Sequence, residues 1–346
     1  MDRCHTLIRY LEEQAPCIYI PNYDWGHSCI SPRLSNRIVI VGIMHSVEPI
    51  YFEHLSRLGK YWNAVVAVSG VIAEKAIQCE PAIERRVFAI PNGVTISPYY
   101  SKHLSEAGAP LTMVFNGRLV QYPKRVFDLP QIVQTLKALH IPVKLTIIGA
   151  GDDERRLKKM SGPFLESGMM EFTGHLNHEK AQEIMQASDV FLLTSEFEGM
   201  PMSLLEAMGH GCVPVVSDVS SGVPELIEHG INGYRVPIGD VKSFAGHISH
   251  LYHDTQNRKR MSLMAYQRVA SGGYRIEDMV NRYEEVFRVS IANAEKGGYV
   301  RPKGEMTIPL GISPWNYRLP KSVLKIPIFA MFAVRQIQRW SSRFNE

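Results

Sequence analysis

The sequence predicts an α/β protein with two domains, each built on a parallel sheet. Short apolar runs recur along the chain with helical stretches between them, which is the pattern of parallel strands joined by helical crossovers. The chain has 346 residues, and single hydrophobic cores rarely grow far past ~250 residues. Its hydrophobic fraction of 45% and its charged fraction of 21% are typical of globular proteins.

Four strands are predicted in the first part of the chain, at residues 17–20, 38–43, 65–68 and 87–90. The segment 101–110 that follows is polar and rich in small residues, as is typical of a domain boundary. We therefore assign residues 1–105 to an N-terminal domain.

Six strands are predicted in the second part, at residues 112–115, 144–148, 171–172, 189–193, 213–216 and 233–236. Six strands with intervening helices make a complete doubly wound, Rossmann-like domain, which we assign to residues 106–290. Residues 291–346 then form a C-terminal tail. Ligands of such sheets lie outside the carboxyl ends of the strands, and nearly every motif described below follows a strand end.

Charge and cysteine content exclude several classes of protein. The net charge of +4 is too small to indicate nucleic-acid binding, and no dense stripe of Lys and Arg is present. The five cysteines are scattered and odd in number, which favours reduced thiols in a cytosolic protein. The amino terminus lacks the apolar core of a signal peptide, and no run reaches the ~18 apolar residues of a transmembrane helix. We therefore expect a cytoplasmic protein that binds no nucleic acid.

The segment after the predicted strand at 189–193 carries two carboxylates, Glu198 and Glu206, around a Gly-x-Pro step. Gly199 permits a tight turn, and Pro201 suits the first position of a helix, where its missing N–H costs nothing. The free N–H groups of the first helical turn attract phosphate. Glu198 is expected at the mouth of this site, with Glu206 about two turns into the helix, within reach of a sugar hydroxyl. The pattern predicts a binding site for a phosphorylated, hydroxyl-rich ligand such as a nucleotide sugar.

These motifs resemble the donor site of retaining glycosyltransferases of family 4, the glycosyl transferases group 1. The Glu-x7-Glu pattern, the Glu-Ala-Met step and the segments 222–227 and 229–234 occur in the expected order. The resemblance covers about residues 38–287 and implies the GT-B fold, in which two Rossmann-like doubly wound domains face a cleft. Here the first predicted strand has no glycine-rich loop before it, so we expect the N-terminal domain to be incomplete.

The resemblance implies four catalytic residues. Arg118 and Lys124 would grip the donor diphosphate, Arg118 as a planar fork and Lys124 as a point charge. Glu198 would contact hydroxyls of the transferred sugar, and His45 would contact the sugar or its reacting end. The alternatives are solvated surface cations for Arg118 and Lys124, with Arg125 competing for the role of Lys124. For His45 the alternative is a hydrogen-bonded structural histidine.

The resemblance also implies a set of donor-binding residues. Glu206 would accept hydrogen bonds from both ribose hydroxyls, and Gly149 would allow a close backbone approach to the nucleotide. The strand end at 172–176 would contact the nucleobase, although the His175 side chain can equally be solvent-exposed. The other expected donor-binding residues are Gly117, His175, Leu176, Gly199, Met200, Pro201, Met202, Ser203 and Leu204.

Three residues of the first domain have two interpretations each. Ser69 resembles a family serine near the cleft, and helix capping explains it equally well. Glu48 and Tyr51 would line an acceptor groove or are ordinary surface residues.

The function that the resemblance implies is that of a retaining hexosyltransferase. It would move a sugar from a UDP-, GDP- or ADP-linked donor to a carbohydrate or lipid-linked acceptor of the cell envelope, such as a polysaccharide or glycolipid. Arg118 and Lys124 supply the positive charge, so we expect neither a metal ion nor a cofactor. The short N-terminal domain favours an alternative, a catalytically silent sugar-nucleotide-binding partner subunit. A second alternative is a GT-B sugar-nucleotide epimerase.

The tail has two interpretations as well. It is either a helix on an anionic membrane surface near a lipid-linked acceptor, or a final helix that packs across the two domains or forms a dimer contact. Pro327 interrupts any long helix here. The apolar run of the tail is mixed with the basic residues Lys321, Lys325, Arg335, Arg339 and Arg343.

Overall fold

A computed structural model of the chain describes residues 2–22 and 25–306. The described residues belong to one compact unit. The predicted tail helix lies outside the described residues, so both of its interpretations stay predictions.

The first half of the molecule is built on four parallel strands, and each lies on a predicted one. They are β1 (Cys17–Tyr19), β2 (Ile38–Met44), β3 (Ala64–Ala67) and β4 (Val87–Ala89), in the spatial order β1-β2-β3-β4. Every residue of β2 and β3 is buried, as expected for parallel strands covered on both faces. The strand order has no reversal, so this sheet is half of a doubly wound pattern, in agreement with the predicted incomplete unit.

The second half contains a six-stranded parallel sheet in the order β10-β9-β8-β5-β6-β7, which is the full doubly wound arrangement. All six predicted strands are confirmed: β5 (Leu111–Asn116), β6 (Val143–Ile148), β7 (Met170–Gly174), β8 (Val190–Leu193), β9 (Val213–Ser217) and β10 (Tyr234–Val236). The order reverses between β5 and β8, and we call this place the switch point.

Helices cover the faces of both sheets. Around the first sheet lie α1 (Asp2–Glu13), α2 (Trp25–Ser28), α3 (Pro49–Leu58) and α4 (Gly70–Cys79). The second half contains α5 (Asp128–Ala138), α6 (Glu154–Met160), α7 (Gly162–Glu166), α8 (His178–Ala187), α9 (Met202–Gly209), α10 (Val223–Leu226), α11 (Val241–His253), α12 (Thr255–Ser271) and α13 (Ile276–Glu295). Within the described part of the chain, no helix is both long enough and apolar enough to cross a bilayer.

Apolar packing joins the two halves into one unit. Phe191 of β8 belongs to a buried cluster that also contains the core of the first sheet, whereas its neighbour Leu192 faces a second cluster on the opposite side of the six-stranded sheet. This alternation follows from the period of two along a strand. The predicted boundary near residue 105 falls between β4 and β5, and α13 returns to pack against β2 of the first sheet.

Candidate functional site

The loops after β5 and β8 lie side by side at the switch point. The Thr194 hydroxyl donates to the Lys124 carbonyl over 2.9 Å, and the Glu196 amide donates to the Pro123 carbonyl over 2.8 Å. Open α/β sheets bind ligands at this place, because the loops diverge where the strand order reverses. The fold therefore brings together the segments predicted to hold the diphosphate and the sugar, which are about 70 residues apart in sequence.

Lys124 and Glu198 form an ion pair in this site. The Lys124 ammonium lies 2.6 Å from Glu198 Oε1, and the two side chains are only 17% and 10% exposed. The Ser195 hydroxyl donates to the same carboxylate oxygen over 2.6 Å. Two of the residues predicted to be catalytic are thus in direct contact, and each neutralises the charge of the other.

Arg125, which competed with Lys124 for the diphosphate, is bound to two other carboxylates. Its guanidinium donates to Asp128 over 2.8 Å and to Glu196 over 2.6 Å. These hydrogen bonds, the one to Asp128 first, raise the pKa of Arg125 above its usual range. Its backbone has a φ of +49°, which directs the chain into α5. The geometry therefore favours Lys124 over Arg125.

Arg118 projects from the same loop and is exposed. Its guanidinium makes no hydrogen bond to another residue of the described ranges. Its charge acts on Tyr51 of α3, where burial raises the tyrosine pKa, Glu48 raises it further and Arg118 opposes both. Arg118 thus lies where the second half faces the first, with its guanidinium accessible.

His45 lies at the carboxyl end of β2, against the loop that contains Glu198. A Cβ atom at Gly199 would lie 1.9 Å from the His45 carbonyl oxygen, so only glycine fits at that position. His45 Nε2 is hydrogen-bonded to Asn22 Oδ1 at 2.8 Å, and burial lowers the pKa of His45. The residue is both hydrogen-bonded, as the structural alternative requires, and located in the cleft between the halves.

The start of α9 differs from the prediction by one residue. Pro201 is the N-cap, with an extended ψ of 116°, and the helix begins at Met202. The prediction that Pro201 occupies the first helical position was therefore wrong. The fixed φ of proline fits both the N-cap and the first helical position. The contacts of the preceding loop decide between them. The Gly222 amide donates to the Gly199 carbonyl over 2.7 Å, and Asn92 donates to the Met200 carbonyl over 2.8 Å.

The first intrahelical bond of α9 runs from the Leu205 amide to the Pro201 carbonyl over 3.2 Å. The amides of Met202, Ser203 and Leu204 precede it, as the sequence predicts for a phosphate-binding helix start.

Glu206 lies in the second turn of α9 and faces α8. Its side chain is 14% exposed, and Oε1 lies 3.7 Å from His178 Nδ1. Burial raises the pKa of Glu206, and His178 and a hydrogen bond from Gln182 oppose that rise. The Gln182 amide also bonds to His210. Sequence reasoning missed Gln182 and His210, although the i, i+4 spacing of His178 and Gln182 placed both on one helix face.

The glycines after β5 and β6 form a tight backbone crossing. Gly149 has a φ of +135°, and a Cβ atom there would lie 2.0 Å from the Gly117 carbonyl oxygen. The Gly117 amide donates to the Ile148 carbonyl over 3.1 Å, and the Gly149 amide to the Gly174 carbonyl over 2.9 Å. The close approach at Gly149 in this structure is to the protein's own backbone, and an approach to the nucleotide stays a prediction. Next to this crossing, His175 is exposed and Leu176 packs partly into the core.

Ser69 and Glu48, whose interpretations were open, each make a side-chain hydrogen bond. Ser69 Oγ accepts a hydrogen bond from the Ile72 amide at 3.2 Å, so Ser69 caps α4. The Tyr122 hydroxyl donates to Glu48 Oε1 over 3.4 Å, which joins the loop after β5 to the first half.

The second half of the chain is similar to known glycosyltransferases. Residues 100–268 match the family model of glycosyl transferases group 1. A protein named as the colanic acid biosynthesis glycosyltransferase WcaL of Salmonella typhimurium is 31% identical over 190 residues, which are 52% of this chain and 46% of WcaL. The amylovoran biosynthesis glycosyltransferase AmsK of Erwinia amylovora is 38% identical over 112 residues, 31% of this chain and 27% of AmsK. The chain thus spans about half the length, or less, of these relatives.

Solved structures of glycosyltransferases share the fold of the chain. A mutant of Staphylococcus aureus TarM, solved with fondaparinux, α-GlcNAc-glycerol and UDP, matches with a TM-score of 0.71 at 18% identity, over 82% of this chain and 58% of TarM. Anabaena Alr3699/HepE, solved with UDP and glucose, matches with a TM-score of 0.67 at 18% identity, over 84% and 81% of the two chains. The chain has the GT-B fold, and its residues 100–268 match the family of glycosyl transferases group 1.

Proposed function

We propose that the protein is a retaining glycosyltransferase that transfers a hexose from a nucleotide sugar to a carbohydrate or lipid-linked acceptor of the cell envelope. The observation that carries this proposal is the ion pair of Lys124 with Glu198 at the switch point of a group 1 domain, on the same loop as Arg118. The printed names of two relatives refer to colanic acid and amylovoran biosynthesis, which supports a polysaccharide product.

The donor diphosphate would bind between the loop after β5 and the start of α9. Arg118 is exposed and free to hold two phosphate oxygens as a fork, and a diphosphate offers Lys124 a more highly charged partner than Glu198. Both cations would neutralise the charge that grows on the leaving nucleoside diphosphate, which is the largest contribution in such catalysis. The amides at the start of α9 add partial positive charge, so no metal ion is needed in this proposal.

Glu198 and Glu206 would bind hydroxyls rather than perform acid–base catalysis. In glycoside hydrolases the two carboxylates flank the scissile bond and exchange protons with it. Here Glu198 is paired with Lys124 and Ser195, and Glu206 faces α8. We assign Glu198 to the transferred sugar and Glu206 to the ribose.

The transfer itself would proceed on one face of the sugar. The bond between the anomeric carbon and the phosphate oxygen breaks, and the acceptor oxygen forms its bond to that carbon from the same face. The acceptor proton passes to the departing phosphate oxygen. His45 would lie at the reacting end of the sugar, since its backbone touches Gly199 next to Glu198.

We also propose that the protein works in the cytoplasm, with peripheral membrane contact through its tail if the acceptor is lipid-linked. The basic and apolar composition of residues 319–343 supports that contact.

The test is a donor panel with the full 346-residue chain. Binding of UDP-, GDP- and ADP-sugars is measured by calorimetry, and turnover by release of the nucleoside diphosphate with and without saccharide acceptors. We expect binding of one donor class, slow hydrolysis, and a product whose anomeric configuration by NMR equals that of the donor.

Other outcomes of the panel overturn the proposal in distinguishable ways. An inverted product contradicts retention, and release of an epimerised sugar identifies an epimerase. Binding of a donor without turnover in the presence of every acceptor tested favours a catalytically silent partner subunit. No binding of any nucleotide sugar contradicts the site.

A further inference from the structure

We propose that Gln182 and His210 are positioning residues for Glu206, which hold its carboxylate in the orientation that receives the ribose hydroxyls of the donor. This inference rests on the proposed function, because it assumes that Glu206 binds the ribose. Neither residue belongs to the Glu-x7-Glu segment or to the loop that carries Arg118 and Lys124.

The three side chains form a continuous chain of hydrogen bonds between α8 and α9. Gln182 Oε1 is bonded to His210 Nε2, and Gln182 Nε2 lies 3.5 Å from His178 Nδ1. A hydrogen bond from Gln182 also lowers the pKa of the Glu206 carboxylate beside them. The helices α8 and α9 pack against each other, so these hydrogen bonds lie at their interface. His178 lies one turn before Gln182, with Nδ1 at 3.7 Å from Glu206 Oε1.

The chemistry of the groups fixes the direction of every bond. An ionised carboxylate only accepts hydrogen bonds, so Gln182 must turn its NH2 group toward Glu206. Its carbonyl oxygen then faces His210, and His210 must donate through Nε2. Rotating the amide by half a turn would set two oxygens against each other. The arrangement therefore fixes the orientation of the Gln182 amide, with its NH2 group toward His178 and Glu206.

Burial and nearby positive charges keep the His210 imidazole neutral, so it donates a hydrogen bond to Gln182 without carrying a charge. Burial lowers the pKa of His210, and Lys102 and His178 lower it further. Lys102 itself donates to the Met185 and Gln186 carbonyls near the end of α8. The titratable groups that act on the network are thus His178 on α8, His210 at the end of α9 and Lys102 from the segment between β4 and β5. At neutral pH a neutral His210 with its proton on Nε2 satisfies the geometry.

A fixed carboxylate matters here because burial works against its ionised form. Burial raises the pKa of Glu206, and the Gln182 bond opposes that rise. Losing Gln182 would both free the side chain to rotate and make protonation of Glu206 easier. A protonated Glu206 can no longer accept hydrogen bonds from two ribose hydroxyls at once.

The test compares nucleotides that differ only in the ribose. Calorimetry measures binding of UDP, GDP and ADP and of their 2′,3′-dideoxy forms to the full-length protein and to Gln182→Met. We expect the wild-type protein to prefer the ribose form, and Gln182→Met to lose about five- to tenfold of that preference while binding the dideoxy form unchanged. The pH at which ribose-dependent binding disappears on acidification should be higher in Gln182→Met.

Two further variants separate positioning from simple packing. His210→Gln keeps a donor toward Gln182 and should preserve the preference, whereas His210→Phe should lower it. Gln186→Met makes the same substitution one turn further along α8, at an exposed site, and serves as the matched control.

The outcomes distinguish this inference from the proposed function. Full ribose preference in Gln182→Met overturns the positioning role and leaves the ribose assignment intact. Equal weakening of both nucleotide forms shows a packing role and also overturns it. If the wild-type protein binds both forms equally, the assignment of Glu206 to the ribose fails, and the inference fails with it.

Discussion

The pairing of Lys124 with Glu198 shows how single residues in this site depend on each other. Both side chains are largely withdrawn from solvent, and Ser195 bonds to the same carboxylate oxygen. An exposed ion pair contributes little, but a pair in this environment leaves a costly unpaired charge when one partner is removed. Arg118 is the opposite case, because it is exposed and its guanidinium has no hydrogen bond to any residue that the structure describes.

We predict that Arg118→Ala lowers donor turnover at least about 100-fold, because the growing charge on the leaving diphosphate loses its fork. Stability should change by less than about 0.5 kcal/mol, since the side chain is exposed. Turnover assays and thermal unfolding measure the two effects. Arg288→Ala on α13, an arginine 63% exposed, is the control. Near-normal turnover in Arg118→Ala would remove it from this role.

We predict that Lys124→Met destabilises the fold by about 2 kcal/mol, because Glu198 keeps only Ser195 as a partner. The double variant Lys124→Met with Glu198→Gln should lose less than the sum of the single variants, since the unpaired charge is gone. Urea unfolding of the three variants gives the coupling free energy. Additive losses would show that the two groups do not interact in solution.

At the scale of elements, the entry into α9 is set by contacts with the first half of the molecule. Gly199 touches the His45 backbone, and the Met200 carbonyl accepts from Asn92. These contacts come from β2 and from the segment after β4, and they hold the loop between β8 and α9 against the first sheet. The start of the helix, and with it the position of Glu206, therefore depends on both halves.

A pair of glycine substitutions tests this contact. Gly199→Ala should destabilise the protein by about 2 kcal/mol, because its methyl group would overlap the His45 carbonyl. Gly246→Ala lies within α11 with no atom within 4 Å of the added Cβ, and should stabilise by about 0.5–1 kcal/mol through helix propensity. The denaturant concentration at the midpoint of unfolding is measured for both variants and shows the two changes in stability. If Gly199→Ala is as stable as the wild type, the contact between Gly199 and the His45 carbonyl does not hold the two halves together.

At the scale of the whole molecule, the segment after α13 ties the end of the described chain to the first sheet. Arg301 is 5% exposed, and its guanidinium donates to the carbonyls of Tyr61, Leu34, Ser35 and Ile38. These carbonyls belong to the first residue of β2 and to the segments that precede β2 and β3. A single side chain thus donates hydrogen bonds to four carbonyls of the first half of the molecule.

We predict that Arg301→Met destabilises the protein by about 3 kcal/mol or more, because several buried carbonyls lose their donor at once. Lys303→Met, two residues further on and exposed, should have an effect below about 0.5 kcal/mol. Urea unfolding measures both. Equal stability of the two variants would show that this segment does not hold the first sheet.

The sequence alone predicted the fold well because its signals are local. All ten strands lie on predicted apolar runs, since burial on both faces of a parallel sheet imposes short continuous hydrophobic segments. The Glu-x7-Glu segment indicated a strand, a turn and a helix in the correct order, because Gly199 and Pro201 restrict the backbone wherever they occur. The position of Pro201 was wrong by one residue, because proline fits both the N-cap and the first helical position.

What the sequence by itself determined is the set of elements and the chemical types of the groups that follow them. Only the tertiary structure decided which of these groups meet: Lys124 with Glu198 across 74 residues, Gly149 against the Gly117 carbonyl, and Gln182 between Glu206 and His210. Backbone preference acts within a few residues, so a sequence pattern reports it directly. Contacts between distant loops depend on the strand order and on packing, which no local pattern contains.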